Sequence, residues 1–448
     1  MPRRRTAVVA TVMVAALLGQ ALAGDAEAPL ASITDAAAAA APASFVTALG
    51  DAVSVFQTGE ITPPVLDAAL AAAADAKAPA VLGRGFSAGL TAVRRGATVV
   101  QQSSGPGWAF PMSITAFPLD ALGGIMGRTV AAPISQGQVV MGQTSATVRG
   151  ALAGDTIDLM AADGSTVTFT IGMVAADAAI GGTELLISTQ QADLLGATLT
   201  TRVLIYGQFD RSGLQAALTQ RGLYGNSKIR VRASWDAPDP DSTLGMARTK
   251  SLLGEFEMDY ANLSDLGWTD VGAAWRNEYL PPARETYPTG IRAMCNKVIK
   301  ADLTAALQAV VDAGLAGGID VANANTYGGC SAGQARLARI TQSLGSVSRH
   351  SWGQPLDTNT TTNCQGCVPQ MDCRIVRIFR AHNFAWGGNF LTPDGMHFEW
   401  VGEARNTLQY PSKYCPNLPQ GQTEGATATG PPPASRATMF ADDGLVGE

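Results

Sequence analysis

Two short segments of this 448-residue chain, 348–357 (Ser-Arg-His-Ser-Trp-Gly-Gln-Pro-Leu-Asp) and 394–400 (Asp-Gly-Met-His-Phe-Glu-Trp), hold two of its three histidines, and the third, His382, lies between them. Histidine is absent from the first 349 residues, so its concentration here calls for a chemical reason. Read as halves of one site, the segments require the C-terminal part of the chain to bring a turn and a strand together.

Imidazole and carboxylate are both good zinc ligands, and a hydrolytic zinc site takes three protein ligands while keeping a fourth position for water. His350 and Asp357 stand seven apart across a turn containing Gly353, and His397 lies in a run that reads as a strand. Alternation there puts His397 and Glu399 on one face and Met396, Phe398 and Trp400 on the other. The expected metal ligands are His350, Asp357 and His397, with the aromatic face in the core. Asp394, three residues before His397, is placed to take a proton from a metal-activated water as general base. His382 reads as structural, near a helix end that favours a cation.

At these residues the chain resembles the zinc D-alanyl-D-alanine carboxypeptidases and related peptidoglycan peptidases, whose fold is shared with the signalling domain of hedgehog proteins. The family pattern Ser-x-His-x-x-Gly-x-Ala-x-Asp is met by Ser348, His350, Gly353 and Asp357, and Asp/Glu-x-x-His-Phe-Glu-Trp by Asp394, His397, Phe398, Glu399 and Trp400. Phe384-Ala-Trp386-Gly387-Gly388 and Tyr327-Gly-Gly-Cys330 are also similar, so the likeness spans 327–400, or 295–400 counted from Cys295. Pro355 replaces the usual alanine, and Asn383 the usual glycine after a helix.

The resemblance implies zinc on His350, Asp357 and His397, and Asp394 as catalytic acid and base. It also implies an upstream arginine, Arg336 or else Arg339, that polarises the scissile carbonyl or holds the substrate, and a contact from Ser348 to the peptide's terminal carboxylate. The implied activity is hydrolysis of peptidoglycan stem peptides, as a D-alanyl-D-alanine carboxypeptidase. An endopeptidase cutting between L-alanine and D-glutamate, or a non-catalytic zinc-containing wall-binding module, are the alternatives.

The remainder of the chain reads as an α+β protein, a β-rich α+β domain followed by a zinc-peptidase domain with a small antiparallel sheet and flanking helices. Residues 1–23 read as a signal peptide: Arg3, Arg4 and Arg5, an apolar run, then Ala21-Leu22-Ala23. Its removal would take the formal charge from −6 to −9, the wrong sign for nucleic-acid binding, and no later segment is apolar enough to span a bilayer. The signal peptide makes the expected location secreted, and the resemblance implies association with a bacterial cell envelope.

Residues 24–98 are alanine-rich, with a helix at 65–76 opened by Thr62, Pro63 and Pro64. Residues 99–235 form the β-rich accessory domain, in which 156–160 and 167–171 read as a hairpin about Asp163-Gly164. The segment from Val140 through Gly154-Asp155 resembles the extracytoplasmic core domain of bacterial export permeases, a likeness of strand pattern that assigns no function. Residues 236–250 read as a linker, 251–405 as the catalytic domain and 406–448 as a disordered tail. Within 251–405, helices are expected at 297–313 and 371–381, with Arg374, Arg377 and Arg380 on a solvated face. All six cysteines fall at 295 or later, an even number that reads as disulfides stapling the loop after Asp357 and tying down Cys415.

Overall fold

The computed structural model describes residues 50–57, 59–224, 228–236, 239–322, 329–339, 346–406, 408 and 412–418, without the side chains of Ala338 and Arg339. The expected signal peptide, Tyr327 and residues 419–448 lie outside the described residues. Among the described residues no helix is long and apolar enough to cross a membrane.

The first part of the chain runs β1 (Asp51–Gln57), α1 (Pro63–Asp75), β2 (Ala80–Arg95), β3 (Thr98–Gln102), β4 (Trp108–Phe117), α2 (Leu119–Met126), α3 (Arg128–Ser135), β5 (Val139–Gly142) and α4 (Gln143–Arg149). It continues through β6 (Thr156–Met160), β7 (Thr166–Ala175), β8 (Leu185–Ser188), α5 (Thr189–Leu194), β9 (Arg202–Gly207), α6 (Arg211–Gln220) and β10 (Ile229–Ala233). Six strands close on themselves in the order β2, β6, β7, β5, β8, β4 and back to β2, forming a barrel. Leu90, Met112, Ile157, Ile171 and Leu185 fill it. The hairpin has the register its alternation predicts, with Ile157 opposite Phe169 and Leu159 opposite Val167.

The first four residues of β2, Ala80 to Gly83, extend beyond the barrel and pair with β9, which continues through β1 to β10. The described part of the expected helical segment, from residue 50 on, is therefore not a separate helical unit. The helix is there as α1, but β1 and β2 on either side of it belong to the sheet. Their strand character was masked because β2 is built from small residues. Gly83 has to be small, since a Cβ there would lie 2.5 Å from the Phe117 ring.

The second part contains α7 (Met246–Leu253), β11 (Met258–Asp259), β12 (Trp268–Thr269), α8 (Ala273–Tyr279), β13 (Glu285–Thr286), β14 (Arg292–Ala293), α9 (Lys300–Asp312), β15 (Ala335–Arg339) and β16 (Ser346–Val347). It ends with β17 (Pro355–Asp357), α10 (Cys373–Ala381), β18 (Phe384–Trp386) and β19 (His397–Trp400). The antiparallel sheet β17-β19-β18 carries the two motifs. Leu303, Leu307 and Val310 of α9 and Ile375 and Phe379 of α10 pack in its core, where Phe379 stacks on Phe398 at 4.1 Å. Asp372 caps α10, and Asn383 after it takes the left-handed conformation, φ 71°, in which asparagine is the usual substitute for glycine.

Two expectations change here. Residues 236–250 are not a plain linker, because Asp241 is buried and accepts two hydrogen bonds from Arg380, at 2.9 and 2.5 Å, while α7 already begins at Met246. Arg380 is accordingly buried rather than on a solvated face; a charged residue at an inward helical position marks a partner elsewhere in the chain. Cystines join Cys295 to Cys330, Cys364 to Cys367 and Cys373 to Cys415, so residues up to Asn417 extend the second part beyond 405.

The two parts meet through a short pairing of β11 with β4 and a buried charge cluster. Glu184, from the barrel, accepts from Arg149 of α4 at 2.9 Å and from Lys250 of α7 at 2.9 Å, and Glu255 lies 2.5 Å from Arg149. Burial opposes ionisation of Glu184, but Lys250 and Arg149 hold its carboxyl below the usual range. Replacing Glu184 by Gln leaves two buried cations short of a countercharge. The expected cost is about 3–5 kcal/mol, read as a lower denaturation midpoint in urea.

Candidate metal centre and active site

The local folding of each motif follows from its sequence. Ser348 precedes a single 3₁₀ turn, Arg349–Trp352, and its hydroxyl accepts the His350 N–H at 3.2 Å. Gly353 closes the turn at φ 64°, and a Cβ there would lie 2.9 Å from the Asn296 backbone nitrogen. The chain then enters β17, which pairs with β19 so that Asp357 faces His397, Leu356 faces Phe398 and Pro355 faces Glu399. Two of the expected ligands are thus cross-strand partners, and the turn carries the third.

Their atoms converge. His350 Nε2 lies 3.2 Å from Asp357 Oδ2 and 3.3 Å from His397 Nδ1, which is 3.1 Å from Asp357 Oδ1. An ion held tetrahedrally at about 2.0 Å by each ligand separates them by about 3.3 Å; the two Asp357 contacts use different carboxylate oxygens, and one atom from each of the three residues can be chosen with all of them within 4.8 Å of one another, close enough for the set to hold a metal ion. The second nitrogen of each ring is also engaged: His350 Nδ1 is 2.6 Å from the Cys330 carbonyl oxygen, and His397 Nε2 is 3.3 Å from Glu399 Oε2. Such outer contacts fix the tautomer and aim the free nitrogen at the metal.

Burial works against the charge on Asp357, yet His350 and His397 hold its carboxyl far below the ordinary carboxylate range. Burial likewise favours neutral His397, but the carboxylates of Asp357, Glu399 and Asp394 raise its pKa well above the usual histidine value. Asp394 is itself buried, and its backbone N–H donates to the Gly387 carbonyl at 2.8 Å. A Cβ at Gly387 would lie 2.5 Å from the Asp394 carbonyl oxygen and 2.9 Å from His397 Cβ, so glycine at 387 lets this turn pack directly against Asp394 and His397. Phe390 covers the same region, its ring 5.6 Å from that of His397.

The structure therefore brings His350, Asp357 and His397 into one cluster with Asp394 beside it and Ser348 capping the turn. Arg336 joins through its main chain, since its carbonyl accepts the Ser348 N–H at 2.8 Å, while its guanidinium lies over Trp268 at 5.4 Å. Arg339 ends β15, and its side chain lies outside the described residues. Sequence reasoning gave no role to Glu399, which also accepts from Gln354 at 3.1 Å, or to the Cys330 carbonyl. Glu399 had a signal, its place two residues after His397 on the same strand face. Cys330 had none, because its carbonyl reaches His350 only through the tertiary fold.

Residues 341–400 match the family model of the D-alanyl-D-alanine carboxypeptidases. The resemblance carried by the two motifs is thereby shown over that segment, and it supports a peptidase of the peptidoglycan type. No curated protein matches the chain.

Replacing Glu399 by Gln keeps its shape but weakens its hold on His397. Metal affinity, measured by competition with a chromophoric chelator, should fall about 10- to 100-fold. Because the His397 pKa is raised, the metal-free ring keeps its proton above the ordinary histidine range and metal must displace it. Apparent affinity should therefore rise with pH until His397 is deprotonated and fall on acidification, with proton release seen by calorimetry in buffers of different ionisation enthalpy. Asp357, already ionised throughout that range, should add no slope.

Proposed function

We propose that this protein is an exported zinc metallopeptidase that hydrolyses peptidoglycan stem peptides, acting as a D-alanyl-D-alanine carboxypeptidase. The observation that carries this reading is the convergence of a two-histidine, one-aspartate ligand set, its ligating atoms within 4.8 Å of one another, with a further buried carboxylate at Asp394. A purely structural zinc site closes its coordination with four protein ligands and needs no such carboxylate. The family match over 341–400 and the three cystines support the substrate class and an oxidising compartment.

His350, Asp357 and His397 would hold the ion. Zinc there would supply Lewis acidity, polarising the scissile carbonyl and making water a stronger acid. Asp394 takes the proton of the attacking water and returns it to the leaving amine, acting first as base and then as acid. Arg336 is assigned to the developing oxyanion, and Ser348 and Arg339 to the terminal carboxylate of the peptide. Glu399 and the Cys330 carbonyl hold the two imidazoles in their ligating orientation.

The deciding experiment incubates the purified protein with a muramyl pentapeptide, with and without a chelator, and reads products by mass. Loss of one alanine, abolished by chelation and restored by zinc, is the expected result; release of the peptide at its base would make the enzyme an endopeptidase. Asp394→Asn should lower kcat about 10²- to 10⁴-fold while zinc stoichiometry stays unchanged. Full activity in that variant would overturn the mechanism.

A further inference from the structure

The three cystines differ in what they enclose. Cys295–Cys330 and Cys373–Cys415 close separations of 35 and 42 residues, and Cys295, Cys330 and Cys415 are buried. Cys364–Cys367 closes a separation of only 3, and both of its residues are partly exposed. A cross-link constrains the unfolded chain less as the enclosed loop shortens, so this bond contributes least to global stability. Its purpose has to be local.

Locally it brackets the residue that touches the proposed acid and base. Gln365, between the two cysteines, forms an antiparallel bridge with Asp394. On either side the Gly366 N–H donates to the Pro393 carbonyl at 2.6 Å and the Met396 N–H donates to the Asn363 carbonyl at 3.1 Å. The 363–366 and 393–396 segments thus lie side by side, antiparallel, with Asp394 enclosed between this loop and Gly387. Gly395 has to be glycine for the approach, because a Cβ there would lie 2.8 Å from Asn363 Oδ1.

The geometry points to the Cys364–Cys367 loop as the positioning element for Asp394, its cystine keeping the loop closed so that the carboxylate stays in line for proton transfer. This inference rests on the assignment of Asp394 as acid and base. An open Cys-Gln-Gly-Cys turn, with Gly366 at φ 81° as a ready hinge, releases the 393–396 segment on one side while Asp357 and His397 stay anchored in β17 and β19 and His350 on its turn. The consequence is a defect in turnover, with metal and substrate still bound.

The test uses the zinc-loaded full chain and a trialkylphosphine, since a dithiol would itself compete for the metal. The phosphine attacks one sulfur and water completes the reaction, giving a phosphine oxide and two cysteine thiols, with oxygen and both protons drawn from water. Thiol labelling identifies the stage at which only Cys364 and Cys367 are free. At that stage kcat should fall about 10- to 100-fold, KM and zinc content should hold, amide exchange across 393–397 should quicken, and reoxidation should restore all of these. The double variant Cys364→Ser, Cys367→Ser should show the same losses without phosphine and no further response to it. Unchanged kcat and unchanged exchange in that variant would overturn the inference. Activity surviving Asp394→Asn would break the functional assignment instead, and the exchange measurement would still decide whether the cystine holds the 393–396 segment.

Discussion

The pairing of β17 with β19 is the constraint on which the site depends. Side chains alternate along a strand, so the register that sets Asp357 against His397 puts both on one face, at the closest spacing two strands allow. A slip of one residue in β19 would turn His397 into the core and present Phe398 to the ligands. The opposite face prevents this, because Leu356 and Phe398 are cross-strand partners buried among Phe379 and Phe384, and β18 fixes the far side of β19. With two ligands fixed in this way, one 3₁₀ turn closed by Gly353 is enough to deliver the third.

Support for this small sheet comes from segments far away in sequence. Asp241 accepts the Trp386 backbone N–H at 2.9 Å and the Asn389 side-chain amide at 2.7 Å while paired with Arg380. It therefore ties α10, β18 and the turn that leads to Asp394. The stretch that joins the barrel to the second part is in this way a structural member of the part that carries the two motifs. The barrel is joined as firmly, since Glu184 and Arg149 on its side share one charge cluster with Lys250 and Glu255. These contacts hold the barrel and the second part together as one compact unit.

Local signals in the sequence were readable where one face of an element carried the information. The hairpin of β6 and β7, the two long helices of the second part and the His397–Glu399 face all follow from periodicity. The same reasoning failed where the deciding partner was remote. Nothing near Arg380 announces Asp241, and nothing near His350 announces the Cys330 carbonyl. In β2, alanine and glycine hid a strand, because the need for smallness comes from Phe117 and Arg202 packing across it. The candidate ligands were legible because metal chemistry restricts which side chains can serve, whereas a core position accepts several.

The charge balance of the centre gives a physical reason for a divalent ion. Asp357, Asp394 and Glu399 are three buried carboxylates around two imidazoles, an arrangement that is costly unless positive charge compensates it. Arg349, with its Nε 3.9 Å from Glu399, offsets one of them. A proton on His397 offsets another, which is why that ring holds its proton so firmly in the metal-free protein. Exchanging that proton for a dication balances the three carboxylates, and it does so at the point where the His350, Asp357 and His397 atoms already converge. The features that raise the pKa of His397 are thus the ones that favour a metal over a proton once a metal is available.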